Sequence, residues 1–281
     1  MTETEGQIAP EDKYIDIEKV IASKNKKLAQ LLPGFAIGFM KRLIHQEEIN
    51  EVMNRIGHHT GLDFVNAALD ELEIKVEVIG LENIPAEGGV IIAANHPLGG
   101  VDGMAFMKAV GQKRQDFQFL VNDMLLNIKN IAMLFVPVNK VGSNPRESLV
   151  LIEEAYRKDI AVMIFPAGLV SRKQRHGIKD LEWKKSFVIK ARQYKKDIIP
   201  VHIEGKNSKR FYNFSRFRQR LGIKANLEMG LLADEMFKQR GKTITIRIGK
   251  PIPHQELDHT KTPIEWAAEL RELTYDLPNK M

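Results

Sequence analysis

Cysteine is absent from the 281-residue sequence, which excludes disulfides and thiolate-ligated metal sites and fits a reducing compartment. Long apolar runs are absent too, and none reaches the ~20 residues that a membrane-spanning helix requires. The most apolar early stretch, LAQLLPGFAIGFM at Leu28–Met40, is too short and is broken by Pro33-Gly34. Its flanks are basic, with Lys24, Lys26 and Lys27 before it and Lys41 and Arg42 after it. Two readings are open: an interfacial helix on anionic lipid, or an ordinary amphipathic helix that covers a core. The opening MTETEGQIAPEDK lacks the basic and apolar regions of a signal peptide, so a cytoplasmic protein is the expectation. Neither an internal repeat nor a low-complexity tract is visible.

What is present describes a globular chain. Hydrophobic residues make up 43% with ordinary glycine and proline, enough for one large domain or two small ones. The formal charge of +6 suggests an anionic partner such as nucleic acid, a lipid surface or a phosphorylated substrate, without choosing among them. After a loose tail over residues 1–12, helical periodicity fills an N-terminal segment over 13–73, including an amphipathic stretch at Gly61–Glu73. From residue 74 to 281 the pattern changes to short β-branched runs between helix-length segments. The runs are KVEVIG at Lys75, GVIIAAN at Gly89, QFLVND at Gln118, LFVPV at Leu134, AVMIFP at Ala161, DIIPVHIEG at Asp197 and TITIRIGKPI at Thr243. The expected fold is α/β, with a largely parallel or mixed central sheet flanked by helices and a helical segment before it.

In such sheets ligands gather at the carboxyl ends of strands. GVIIAAN delivers Asn95 and His96 to one such end, and Asp102 falls in the first turn of the helix that follows. Pro97, Gly99 and Gly100 make a tight, low-bulk crossing that lets the aspartate fold back on the imidazole. Asp102 would then fix the tautomer and free the other ring nitrogen to take a proton. The same spacing also suits an aspartate that merely favours a helix N-terminus beside an uninvolved histidine. Two further strand ends carry chemistry. FPAGLVSR at Phe165–Arg172 offers a small turn around Pro166 and Gly168 able to point an N–H at a developing oxyanion. LFVPVNKVGSNPRESL supplies Lys140 and Arg146 as cations for a phosphate or carboxylate.

Those blocks resemble the lysophospholipid and glycerolipid acyltransferases typified by bacterial 1-acylglycerol-3-phosphate acyltransferase. NHPLGGVDG looks like the family's first block, FVPVNKVGSNPRESL its second, FPAGLVSR its third and IIPVHIEG its fourth, in order over Ile91–Gly205. WKKSF at Trp183–Phe187 falls where the family has a lysine-bearing helix, so the resemblance covers most of the chain after about residue 75. It implies transfer of a fatty acyl group from acyl carrier protein or coenzyme A to a lysolipid hydroxyl in membrane lipid biosynthesis. It also implies a cytoplasmic enzyme held peripherally on the inner, anionic face of the membrane, with no metal and no further cofactor. His96 would be the general base held by Asp102, with Gly168 and the Pro166 turn stabilising the oxyanion. Lys140, Arg146 and Arg172 would hold the acceptor head, with Asn95, Lys184 and Lys185 as weaker candidates.

Departures from the family pattern bear on the acceptor. Pro97–Val101 is one residue longer than the family's usual His-to-Asp spacing, which the paired glycines are expected to absorb. Ala167 replaces the third block's usual glutamate, and Lys140 stands where an arginine is common. The longer first block and the alanine resemble the hemolysin-like branch associated with O-acylation of mono-acylated glycine, serine or ornithine lipids, an alternative to 1-acylglycerol-3-phosphate. Other conspicuous residues suggest less. His58-His59 lacks companions for a metal site, His202 sits within a strand, and His176 is expected in solvent. The basic and aromatic run Lys206–Lys224 alone would suit nucleic acid. A non-enzymatic basic protein that binds lipid or nucleic acid is the competing class. Under the acyltransferase resemblance nucleic acid drops out, and the run becomes a basic flap with Phe211, Tyr212, Phe214 and Phe217 dipping into an interface.

Overall fold

The computed structural model describes residues 14–24, 31–138, 146–175, 177–223 and 226–281. The chain divides into two compact units, 1–57 and 58–281.

Among the described residues, the first unit contains α1 (Ile17–Lys24), α2 (Gly34–Leu43) and α3 (Gln46–Ile56). Pro33, which breaks the apolar run in the sequence, sits just before α2 in extended backbone, a place where its missing N–H costs nothing. Side-chain amides close the unit: Asn50 Oδ1 accepts from the Ile15 N–H and Gln46 Oε1 from the Ile17 N–H, both at 2.8 Å. No residue of α2 is buried, and Phe35 is 79% exposed. Among the described residues, no helix is long and apolar enough to cross a membrane. The expected tail, together with Lys26 and Lys27, lies outside the described residues.

The second unit opens with α4 (Gly61–Glu71), whose Phe64, Val65, Ala68 and Leu69 are buried. The seven β-branched runs become the seven strands of one sheet: β1 (Lys75–Ile79), β2 (Val90–Ala94), β3 (Phe117–Asn122), β4 (Phe135–Val138), β5 (Ala161–Ile164), β8 (Asp197–Ile203) and β9 (Thr243–Ile248). Their spatial order is β1-β9-β8-β2-β5-β3-β4. All neighbours pair in parallel except β8 and β9. That exception has a geometric cause. The chain leaves β8 at its carboxyl end, makes a helical excursion, and rejoins the sheet at the same end, with Ile203 opposite Ile246.

A separate antiparallel hairpin, β6 (Arg172–Gln174) with β7 (Gly177–Lys179), follows β5 and is not visible in the sequence pattern. The helices are α5 (Gly100–Gly111), α6 (Arg146–Arg157), α7 (Ser186–Tyr194), α8 (Lys209–Arg220), α9 (Leu232–Phe237) and α10 (Pro263–Lys280). Every residue of β2 is buried, as a central strand covered on both faces requires. Ile91 and Ala93 join a core with Tyr156 of α6, Phe187 of α7 and Leu270 of α10. The alternate residues Val90, Ile92 and Ala94 face the other layer by the period-two rule, where α4 packs on α5. Burial on both faces fixes where β2 ends, and so where His96 begins.

Candidate active site

The site is assembled at the carboxyl end of β2. Asn95 extends the ladder with its side chain: Oδ1 accepts from the Ile203 N–H at 2.7 Å, and Nδ2 donates to the Ile203 carbonyl at 3.0 Å. The amide thus anchors the strand end to β8 and is spent on backbone, not offered to a ligand. His96 follows. The chain turns through Gly99, whose φ of 103° and ψ of −125° suit glycine alone, and Asp102 enters in the first turn of α5.

Asp102 is fully buried, and both its oxygens lie 3.1 Å from His96 Nδ1. Oδ2 also accepts the Leu98 N–H at 2.7 Å. With both carboxylate oxygens facing Nδ1, a proton on Nδ1 completes the hydrogen bond and Nε2 is left as the acceptor. The extra residue of the first block is accommodated in the turn while the pair still forms. Phe165, at the end of β5, stacks on the imidazole with centroids 4.0 Å apart and planes 13° from parallel. The ring is held from below by an aromatic face and from one edge by a carboxylate. Its side chain keeps 17% exposure for a reacting partner.

The third block meets the same histidine through its backbone. Ser171 N–H donates to the His96 carbonyl at 2.7 Å, and Ser171 Oγ donates to Asp180 Oδ1 at 2.6 Å. Asp180 Oδ1 also accepts the His96 N–H at 3.2 Å, and Oδ2 accepts the Trp183 indole N–H at 2.9 Å. Burial pushes the Asp180 carboxyl up, with these donors pulling the other way. Its own N–H donates to the Tyr275 hydroxyl of α10 at 2.7 Å. Asp180 therefore locks the His96 backbone to the hairpin and to α10. Nothing in the sequence marks it, because its partners are scattered along the chain.

Several expected roles change. Gly168 adopts the left-handed conformation at φ 64°, but its N–H donates to the Phe165 carbonyl at 2.9 Å. It closes the turn and does not hold a free donor for an oxyanion. Pro166 contributes its carbonyl, which accepts the Lys184 N–H at 3.1 Å. That bond carries the Lys184 side chain to the turn, where a Cβ added to Gly168 would stand 3.5 Å from Lys184 Nζ. Lys184 is thus beside the third block, whereas Lys185 is exposed just before α7. Arg146 is exposed at the start of α6, and Lys140 lies outside the described residues.

Arg172 is corrected most fully. It is 4% exposed, donates to Glu228 Oε1 at 2.8 Å and lies 5.3 Å over the Phe211 ring. Glu228 is fully buried and also faces Arg218 Nε at 2.7 Å. An arginine neutralised inside the protein joins the hairpin to the excursion after β8 instead of meeting an acceptor head, and breaking such a pair strands a buried charge. Phe211 and Tyr212 are likewise buried, while Phe214 and Phe217 are 38% and 60% exposed. The excursion packs on the His96–Asp102 turn: Asn207 Nδ2 donates to the Pro97 carbonyl at 3.3 Å, and a Cβ on Gly99 would come within 3.1 Å of Leu232. The His58 and His59 rings lie side by side with centroids 4.0 Å apart and planes tilted by 38°. Burial pushes the half-buried His202 down to about 4, so it is neutral near pH 7. Among the described residues, no group of three or more His, Asp or Glu side chains is placed to hold a metal.

A histidine braced by a buried aspartate at the strand ends of an α/β sheet is an arrangement that suits activation of a hydroxyl for group transfer. The comparison with known families agrees: residues 19–281 match the family described as Acyltransferase, and the chain belongs to that family. It is accordingly an acyltransferase. A lyso-glycine lipid O-acyltransferase of Bacteroides thetaiotaomicron is 44% identical over 264 residues, covering 94% of this chain and 97% of that protein. The enzyme of the same name from Phocaeicola vulgatus is also 44% identical, covering 94% of this chain and 95% of its own. The crystal structure of the 1-acyl-sn-glycerophosphate (LPA) acyltransferase PlsC from Thermotoga maritima aligns over 94% of this chain and 95% of its own, at 16% identity and a TM-score of 0.49.

Proposed function

We propose that the protein moves a fatty acyl group from a thioester, carried by acyl carrier protein or coenzyme A, to the hydroxyl of a mono-acylated amino-acid lipid of the lyso-glycine type. The observation that carries this reading is the His96–Asp102 pair, with Nδ1 held at 3.1 Å from both carboxylate oxygens. His96 Nε2 takes the acceptor hydroxyl's proton as the oxygen attacks the thioester carbonyl carbon. The tetrahedral intermediate collapses, the C–S bond breaks, and the imidazolium returns its proton to the departing thiolate. Asp102 holds the ring through Nδ1 and stabilises the transient imidazolium. Direct transfer of this kind needs no acyl-enzyme.

The choice of acceptor rests on charge. The third turn carries buried Ala167 in place of a carboxylate, and the Lys184 ammonium stands beside it. That arrangement suits an acceptor whose head is itself a carboxylate, and the two relatives at 44% identity carry the corresponding name. The membrane lipid is reached from the cytoplasmic side, with the protein peripheral to the inner leaflet. The test is an assay of purified protein with acyl carrier protein and coenzyme A donors, offered a mono-acylated glycine lipid and lysophosphatidic acid in parallel. Acylation of the glycine lipid alone, lost in His96→Ala, is the expected result. Transfer to lysophosphatidic acid alone would overturn the acceptor, and activity retained in His96→Ala would overturn the mechanism.

A further inference from the structure

The excursion between β8 and β9 leaves one face of α8 uncovered, and its composition is unusual. From Lys206 to Arg220 the chain has six basic residues and no acidic one. The inner side of α8 is used for packing, with Phe211, Tyr212, Ser215 and Arg218 buried. Phe217 is 60% and Leu221 59% exposed, and Phe214 and Ile223 are 38% and 39% exposed. At 100° per residue, positions 214, 217 and 221 form one stripe, and Lys209, Arg216 and Arg220, all exposed, form a second stripe beside it. Arg210, also exposed, lies along the apolar stripe and faces Asp234 at 3.8 Å. An apolar ridge with cations along it and on its solvent side is the pattern of a helix that lies in a lipid interface.

We propose that this face of α8 docks on an anionic bilayer surface and holds the His96 turn at the level of the lipid headgroups. The proposal rests on the lysolipid reading above for its purpose, though not for its geometry. Charge complementarity selects the occupant: the exposed cations Lys209, Arg210, Arg216 and Arg220 match an acidic leaflet, and adjacent apolar side chains match its acyl boundary. A purely acidic protein surface would satisfy the cations and leave Phe217 and Leu221 in water. The helix is also fixed to the catalytic turn and cannot drift from it. Ser208 N–H donates to Glu235 at 2.6 Å, Asn207 reaches the Pro97 carbonyl, and Leu232 packs against Gly99. Docking α8 therefore docks the site, so a lipid acceptor need not leave the membrane plane to reach His96.

The test uses the full chain and two readouts. Phe217→Trp places a fluorophore on the ridge; its emission, taken as the difference from the parent protein, is expected to shift to the blue with phosphatidylglycerol vesicles and to stay unchanged with phosphatidylcholine vesicles. Arg216→Glu/Arg220→Glu is expected to weaken binding to the anionic vesicles by at least roughly tenfold, while acyl transfer to a detergent-dispersed acceptor stays within twofold of the parent. No blue shift, or undiminished vesicle binding in the double variant, overturns the proposal. So does a double variant that keeps its vesicle affinity and loses affinity for acyl carrier protein, which would make α8 a carrier-docking helix. Vesicle binding is read without turnover. A protein that binds as expected but acylates no lysolipid would refute the functional reading alone; transfer to dispersed acceptor without binding through α8 would refute the docking alone.

Discussion

Replacing Asp102 with asparagine separates the electrostatic role of this carboxylate from its shape, because the two side chains are nearly the same size. In the native site one oxygen accepts the Leu98 N–H at 2.7 Å while both lie 3.1 Å from His96 Nδ1. Asparagine has a single acceptor oxygen. If that oxygen keeps the Leu98 bond, the amide NH2 faces the imidazole, which must then accept at Nδ1 and carry its proton on Nε2, the nitrogen needed as base. If the oxygen turns to the imidazole, a buried NH2 opposes the Leu98 N–H, at a cost of about 1–3 kcal/mol. Either outcome also removes the negative charge that stabilises the imidazolium. The expected loss in kcat/KM is roughly 10²–10⁴, or about 3–5 kcal/mol of transition-state stabilisation at 1.36 kcal/mol per tenfold. It should fall mainly on kcat, since Asp102 is buried behind the histidine and does not face the acceptor. Steady-state kinetics with saturating donor, together with a circular-dichroism melt to establish folding, would measure it. A folded Asp102→Asn protein with kcat/KM within threefold of the parent would refute the assigned base.

Two further outcomes follow from the same geometry. Gly99→Ala forces a Cβ into a backbone at φ 103° and to within 3.1 Å of Leu232, so thermal denaturation should show a loss of about 1–3 kcal/mol; an unchanged melting temperature would show that the turn relaxes freely. His202 offers a pH test. Burial pushes its imidazole down to about 4 from an ordinary 6.5, so the unfolded chain binds a proton near pH 6.5 that the folded protein refuses. The stability from neutral His202 is fully present above that value and is lost as pH falls toward 4, about 1–2 kcal/mol of it by pH 5. Urea denaturation at pH 7 and pH 5 should reveal the loss, and His202→Gln should reduce it by that amount; an identical difference in the variant would rule His202 out as its source.

How much of this was legible in the sequence depends on how local each feature is. Side-chain period and turn residues are properties of a few neighbouring positions, so the β-branched runs marked the seven strands. For the same reason His96 and Asp102, six positions apart, could be placed at a strand end and in the helix turn after it. Partners distant along the chain were not legible. Arg172 looked like a free cation until the fold set Glu228, 56 positions away, against it. Asp180 carried no signal at all, since its role is to accept from His96, 84 positions earlier. The Gly168 turn was recognisable, but not the direction of its N–H, which depends on the turn's hydrogen bond. The aromatic and basic run at Lys206–Lys224 read as one surface. Packing divided it, because only one side of a helix can face a core: Phe211 and Tyr212 went inward, and Phe214 and Phe217 stayed in solvent. The sequence alone determined the chemistry available at each strand end. The tertiary structure decided which charges were neutralised, which donors were spent and which side of α8 met water, because those outcomes depend on contacts between residues that no local pattern brings together.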